Sequence, residues 1–198
     1  MLKKPPMGKS LAEVNPELAK QWHPTKNGDL TPFDFTSKSG VKVWWKCHKG
    51  DDHEWFTRIA KRSNGGQCPI CSGRQLALSN CLATINPTLA KQWHTAKNGD
   101  LTPYDVTSAS GKRFWWKCDK GDDHEWEAKV LTRKNNSGCP VCAGKKVVKS
   151  NCLETTHPQI AKQWHSKKNV NVTPFDVTAG SNKKFWWKCD KGDDHEWE

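Results

Sequence analysis

Apolar residues recur along this chain in two rhythms. In residues 15–22 they fall four apart, at Leu18 and Trp22, which is the spacing of one helical face. Asn15 supplies a cap, Pro16 suits the first helical position and Glu17 sits in the first turn, so this stretch predicts a short helix. Asn86-Pro87 repeats the start signal, and His157-Pro158 is a weaker version of it. In residues 41–47 the rhythm is two, which predicts a strand with Val43, Trp45 and Cys47 on one face and Lys42, Trp44 and Lys46 on the other. A second strand follows, with His53, Trp55, Thr57 and Ile59 inward and Glu54, Phe56 and Arg58 outward. His124, Trp126, Ala128 and Val130 repeat that inward set. Lys49-Gly50-Asp51-Asp52 is short enough to join the two strands as a hairpin. Between helix and hairpin, Asn27-Gly28 and two prolines mark turns, so an ordered but irregular segment is expected, pinned by Leu30 and Phe33. Residues 61–67 read as a polar, glycine-containing loop, and residues 1–8 as a loose tail.

These patterns recur. Trp22, Trp93 and Trp164 align at an offset of 71 residues, as do Cys47, Cys118 and Cys189. Such self-similarity means an array of modules rather than one large core. The expected modules are residues 9–73, residues 80–144 and an incomplete third at residues 151–198. Modules of this size bury only a modest core, so a further staple is expected on energetic grounds.

The staple is legible in the cysteines. Cys118-x5-His124 is followed, fourteen residues later, by Cys139-Pro140-Val141-Cys142. Cys47, His53, Cys68 and Cys71 repeat the set with the same gaps. Three sulfurs and one imidazole are the ligand set of a closed, four-coordinate structural zinc site, and two copies at fixed spacing are far more specific than a lone Cys-x-x-Cys. Four protein ligands leave no position for a catalytic water. Thioredoxin-like redox chemistry would want a βαβ setting that the flanking residues do not offer. The third module has Cys189 and His195 but no second cysteine pair, so it is expected to be a half site. The chain stops within the inferred second strand of that module, which reads as a piece of a longer protein. Ser10 stands where Cys81 and Cys152 stand in the later modules, so those two cysteines are expected to be small buried residues rather than ligands.

The net charge of +11 changes the picture of partners. Each filled Cys₃His site lowers it by one, and a large excess of Lys and Arg remains to suit a polyanion. No apolar run approaches the ~20 residues that span a bilayer, and the N-terminal residues carry no apolar core segment of a secretory signal. Nine cysteines fit poorly with a complete disulfide framework, so a reducing, intracellular setting (cytoplasm or nucleus) is expected.

The chain resembles the probable zinc-ribbon family, a treble-clef-like repeat. The resemblance rests on Pro87-Thr88-Leu89-Ala90-Lys91-Gln92-Trp93, Leu101-Thr102-Pro103, Trp115-Trp116-Lys117-Cys118, Gly121-Asp122-Asp123-His124-Glu125-Trp126 and Cys139-Pro140-Val141-Cys142, and it covers nearly the whole chain. It implies zinc binding, and nucleic-acid binding because related modules accompany nuclease-like domains. The fold expected is a small metal-stapled α+β array of zinc-ribbon or treble-clef-like modules. Each has a short helix, an irregular segment, a β-hairpin and a Cys-Pro-x-Cys knuckle.

Two zinc ions are therefore expected, and no enzyme activity. The expected function is to bind DNA or RNA through a basic, tryptophan-containing face. Phosphate contacts are expected from Arg58, Lys61, Arg62, Lys129, Arg133 and Lys134, and then from Arg74, Lys145, Lys146 and Lys149. Trp44, Trp115 and Trp186, beside Lys46, Lys117 and Lys188, would stack bases or pack beneath the helix. His23, His94 and His165 are expected to stabilise the helix end. Glu54 and Glu125 are expected to be exposed strand residues, although a nuclease could use them as a general base. A protein-interaction array and an accessory module of a nuclease are the alternatives; no membrane and no small-molecule substrate is expected.

Overall fold

The computed structural model describes residues 4–135, 137–192 and 194–198. Residues 1–3 of the expected tail lie outside the described residues. Lys4 approaches Asp34 at 3.8 Å, and Gly8 N donates to Glu13 Oε1 at 3.1 Å, so the start of the chain is tied to the first module.

Repeat one begins with two single-turn helices, α1 (Leu11–Val14) and α2 (Pro16–Ala19). The sequence predicted only the second. The first forms because Ser10 and Glu13 make a reciprocal capping box, with Glu13 accepting from both the Ser10 amide and its hydroxyl. Asn15 ends α1 and caps α2, accepting from Leu18 N at 3.1 Å. The hairpin is β1 (Lys42–Lys46) against β2 (Glu54–Arg58), antiparallel, with Trp45 opposite Trp55 and Val43 opposite Thr57. The alternation holds: Val43, Trp45 and Cys47 are buried, whereas Lys42, Trp44 and Lys46 are exposed or half-buried. Ile59 does not extend β2. It is buried, but as the first residue of α3 (Ile59–Ser63), which occupies part of the stretch expected to be loop.

One anchor differs from expectation. Phe33 is 63% exposed and Phe35 only 4%. Thr31 and Asp34 close a 3-10 turn over Pro32–Asp34, Thr31 N and Oγ1 both donating to Asp34 Oδ2, and this turn faces Phe33 outward and returns Phe35 to the core. Phe35 stacks on Trp22 at 5.9 Å, and Trp22 meets Trp45 edge-on at 5.7 Å. Leu11, Leu18, Val43, Trp45, Trp55, Ile59 and Ile70 complete this core with the ligand sulfurs of Cys47 and Cys68.

Repeat two is α4 (Leu82–Ile85), α5 (Pro87–Ala90), β3 (Arg113–Lys117), β4 (Glu125–Lys129) and α6 (Val130–Lys134). Repeat three is α7 (Leu153–Thr156), α8 (Pro158–Ala161), β5 (Trp187–Lys188) and β6 (Glu196–Trp197). The compact units do not follow the repeats. One comprises residues 1–87 with 103–110, and the other residues 88–102 with 111–198. In the first, Cys81 bridges Thr107 and Leu82 N donates to Val106 O. Cys81 and Cys152 are fully buried at the N-caps of α4 and α7, as their place opposite Ser10 predicts. Among the described residues no helix is long and apolar enough to cross a membrane.

The outer edge of the first strand is met by the backbone just after the helix, with Trp22 bridging Trp45 and Lys46 N donating to Gln21 O, and an asparagine side chain adds to it. Asn27 Oδ1 accepts from Trp44 N at 2.7 Å while its Nδ2 donates to Trp44 O at 2.9 Å. Asn98 does the same to Trp115 at 2.9 and 2.8 Å, and Asn169 to Trp186 at 2.9 and 2.7 Å. Asn98→Ala leaves Trp115 N without its acceptor and removes one of the two donors to Trp115 O, which keeps His94 N at 3.1 Å. It is expected to cost about 2 kcal/mol of stability, measured by urea unfolding followed through tryptophan fluorescence at fixed zinc concentration.

Candidate metal centre

Each site is assembled from two corners of the chain. The hairpin supplies one ligand just past β1 and one just before β2; the knuckle supplies the other two. The hairpin turn is tight beside the imidazole: a Cβ on Gly50 would lie 2.7 Å from His53 Cδ2, and one on Gly121 would lie 2.7 Å from His124 Cδ2. The knuckle is closed by Cys71 N lying 3.5 Å from Cys68 Sγ and by Gly73 at φ +68°; Cys142 N, Cys139 and Gly144 at φ +66° repeat this. That left-handed φ is what a glycine accommodates without strain.

The four donors converge. Cys47 Sγ lies 3.8 Å from Cys71 Sγ, and His53 Nδ1 lies 3.8 Å from Cys68 Sγ and 3.2 Å from Cys71 Sγ. In the second site the corresponding separations are 3.7, 3.8 and 3.3 Å. A tetrahedral ion with ~2.3 Å bonds to sulfur and ~2.0 Å bonds to nitrogen sets sulfur–sulfur distances of roughly 3.8 Å and sulfur–nitrogen distances of roughly 3.5 Å. All donor atoms of each set fall within 4.8 Å of one another. Desolvation and the neighbouring sulfurs of Cys68 and Cys47 push the Cys71 thiol up to about 12, and the same causes push Cys142 up to about 11. Sulfurs this close ionise together only with a cation among them. The donor set fits zinc, held by Cys47, His53, Cys68 and Cys71 in one site and by Cys118, His124, Cys139 and Cys142 in the other. When bound, the ion supplies a cross-link between hairpin and knuckle.

In the third repeat Cys189 Sγ and His195 Nδ1 lie 3.2 Å apart, so the hairpin pair is in place there too. The complete four-donor groups among the described residues are the first two.

Side chains behind the ligands complete the sites, and almost no pattern in the chain announces them. His53 Nε2 meets Ser79 Oγ at 3.0 Å, and Ser79 N donates to Asp52 Oδ2 at 2.8 Å. His124 Nε2 meets Ser150 Oγ at 3.2 Å, and Ser150 donates to Asp123 through both its amide and its hydroxyl. These contacts select Nδ1 as the metal-facing nitrogen. Asn80 Nδ2 donates to Ile70 O, and Asn151 Nδ2 to Val141 O, holding each knuckle from behind. The only sign in the sequence was that Ser79-Asn80 and Ser150-Asn151 recur at the repeat offset.

The cations expected at the surface divide. Arg62 and Arg133 are 8% and 6% exposed and are not surface residues. Arg62 lies over the rings of Trp45 and Trp55 at 5.4 and 5.1 Å and donates to Gln21 Oε1 at 2.5 Å. Arg133 lies over Trp116 and Trp126 at 5.4 and 4.9 Å and donates to Gln92. Burial lowers the Arg62 pKa, and the charges of Cys68 and Cys47 oppose that shift. A guanidinium keeps its proton in such settings, so each buried arginine balances the net negative charge of a Cys₃His zinc site. Arg58, Lys61, Lys129 and Lys134 are exposed, whereas Lys46 and Lys117 are half-buried. Lys46 has Glu54 and Asp51 nearby, and Lys117 has Asp122 at 3.4 Å.

Trp44 and Trp115 are half-buried, each with a ring covered by a lysine, Lys26 at 4.8 Å and Lys97 at 4.4 Å. Those lysines reach on to Glu54 and Glu125, whose second oxygens lie 2.9 Å from His23 Nε2 and 2.8 Å from His94 Nε2. His165, Lys168, Glu196 and Trp186 repeat the arrangement. The lysine, and then the histidine, holds each glutamate carboxyl down at about 2. Both oxygens are engaged, which suits a tie between the irregular segment and the hairpin better than a general base.

A family model described as "Probable Treble clef zinc finger domain" matches residues 18–74, 89–145 and 160–198. No curated protein matches the chain.

Metal analysis of the purified chain is expected to return two zinc equivalents, one per complete donor set. Cys139→Ser is expected to leave about one, with the Cys47 site retained. Gly121→Ala is expected to lower occupancy of the second site alone, because the added methyl displaces His124.

Proposed function

We propose that this chain, which belongs to the probable treble-clef zinc-finger family, is a tandem zinc-binding module that binds nucleic acid rather than a catalyst. One observation carries the proposal. Among the described residues Arg58, Lys61, Lys129 and Lys134 are exposed and enter none of the ion pairs that hold Lys26, Lys97 and Lys168 against the hairpin glutamates and Arg113 against Glu127. Arg58 and Lys129 occupy the same place in successive repeats, just where the second strand ends. Arg74, Lys145, Lys146 and Lys149 add exposed positive charge in the joins. Contacts of this kind fix a backbone without reading its sequence, so DNA and RNA both qualify. The zinc in this proposal is structural, since protein ligands fill all four positions. A reducing, intracellular compartment suits thiolates kept for metal.

A second reading has its own observation. Phe33, Tyr104 and Phe175 recur at the repeat offset and are 63%, 60% and 57% exposed, which would suit an array that docks a protein partner.

Titration of duplex DNA and RNA at increasing salt separates the two. Affinity is expected to fall linearly with salt on logarithmic axes, and Lys129→Gln and Lys134→Gln are each expected to reduce the slope by about one. No binding at low salt, or binding indifferent to salt, would overturn the nucleic-acid role.

A further inference from the structure

Beside the first knuckle lies a cleft of 280 Å³ with no carboxylate in its wall. Lys61, Arg62 and Arg74 give it positive charge, Gln67 and Gln75 give it side-chain amides, and Phe56 gives it an aromatic ring. Phe56 points away from the metal, is 53% exposed and leans on Trp44 at 5.5 Å, so the ring is braced from one side and open on the other. Lys61 and Arg74 are exposed at the cleft, whereas Arg62 is buried behind it; its Nε is unpartnered and sealed from solvent, as is Arg133 Nε in the second repeat. Two exposed cations and two side-chain amides around a cleft with no carboxylate in its wall suit an acceptor-rich anion.

We propose that this cleft takes one unpaired nucleotide of a single-stranded nucleic acid, with its base stacked on Phe56 and its phosphates held by Lys61 and Arg74. The volume lies just below the roughly 300–1,000 Å³ typical of small-ligand clefts, which suits one nucleotide rather than a stretch of helix. Gln67 and Gln75 each offer both a donor and an acceptor to a base edge. A base within a duplex is already stacked and cannot present its face to a side chain, so the cleft selects single strands.

The site belongs to the first repeat. Glu127 stands in the place of Phe56 and is paired to Arg113 at 3.2 Å; Thr132 and Gly138 replace Lys61 and Gln67. The second repeat keeps the buried arginine but has a carboxylate where the first has a ring.

This inference rests on the nucleic-acid role proposed above and is tested separately from it. The zinc-loaded full chain is titrated by fluorescence anisotropy with short oligothymidylate, short oligouridylate and a blunt duplex. Phe56→Ala is expected to weaken single-strand binding roughly 5- to 100-fold and to leave duplex binding, zinc content and melting unchanged. Phe56→Trp is expected to keep single-strand binding, and Glu127→Ala to leave it unaltered. Equal losses for strand and duplex in Phe56→Ala, or no loss for either, overturn the cleft assignment while the phosphate-contact role survives. A mononucleotide that binds as tightly as the strand overturns the strand assignment. If the parent chain binds neither strand nor duplex, both proposals fall.

Discussion

Three sulfurs and an imidazole within van der Waals reach of one another are a constraint that the polypeptide cannot satisfy alone. All four donors of the first site lie within 4.8 Å of one another, and desolvation, with the sulfurs of Cys68 and Cys47 beside it, pushes the Cys71 thiol up to about 12. A divalent ion reverses that shift. A structural zinc contributes roughly 10–16 kcal/mol of apparent binding free energy, more than the whole net stability of many domains. The rest of each repeat is arranged to make the grip possible. A glycine clears the space beside the imidazole, a second lets the knuckle turn, and a serine from the join after the knuckle orients the ring. A guanidinium buried between two tryptophans balances the charge that the filled site leaves behind.

With so much free energy held in one cross-link, regular secondary structure can be brief. The helices are four or five residues long and each sheet has two strands. Side chains do the pairing that longer elements would do for themselves. An asparagine adds to the outer edge of the first strand, and an indole N–H from the helix tryptophan closes the irregular segment, with Trp22 Nε1 donating to Leu30 O at 3.0 Å and Trp93 Nε1 to Leu101 O at 2.9 Å. A buried polar group of this kind is costly if its partner is lost, so these bonds fix the path of the irregular segments.

The ligands and the strand faces were legible because each follows from a local rule. Cysteine and histidine at fixed gaps have little other chemistry in common, and a period of two assigns Trp45 inward and Trp44 outward without knowledge of the rest. What escaped depended on distant partners. Arg62 and Arg133 read as surface charge because arginine is mostly exposed; only the pair of tryptophan rings and Gln21 or Gln92, far off in sequence, makes a buried guanidinium tolerable. Phe33 and Phe35 differ by two residues, and the choice between them was made by the Thr31–Asp34 turn, whose geometry no periodicity conveys. Glu54 looked free on its strand because Lys26 and His23 arrive from a segment with no regular structure.

The buried positions of the repeats are filled in kind, with Phe35 and Val43 exchanged for Val106 and Phe114, whereas part of the outward face changes chemistry, and the metal explains why it can. Trp45 and Trp116, Ile59 and Val130, and Ile70 and Val141 are all almost completely buried in matching places, and both buried arginines persist. Outward positions diverge: Phe56 against Glu127, Lys61 against Thr132, Gln67 against Gly138. In a module stabilised mainly by its surface contacts, exchanging an aromatic ring for a carboxylate would change the fold's stability along with its chemistry. Here hairpin and knuckle are joined through the ion, and the outward tie to the irregular segment runs through Trp44 and Glu54 or Trp115 and Glu125, so Phe56 and Glu127 are not part of it. Those positions are therefore free to specialise. An array of such modules can present a ring and two cations in one repeat and an ion pair in the next, on the same metal-held scaffold.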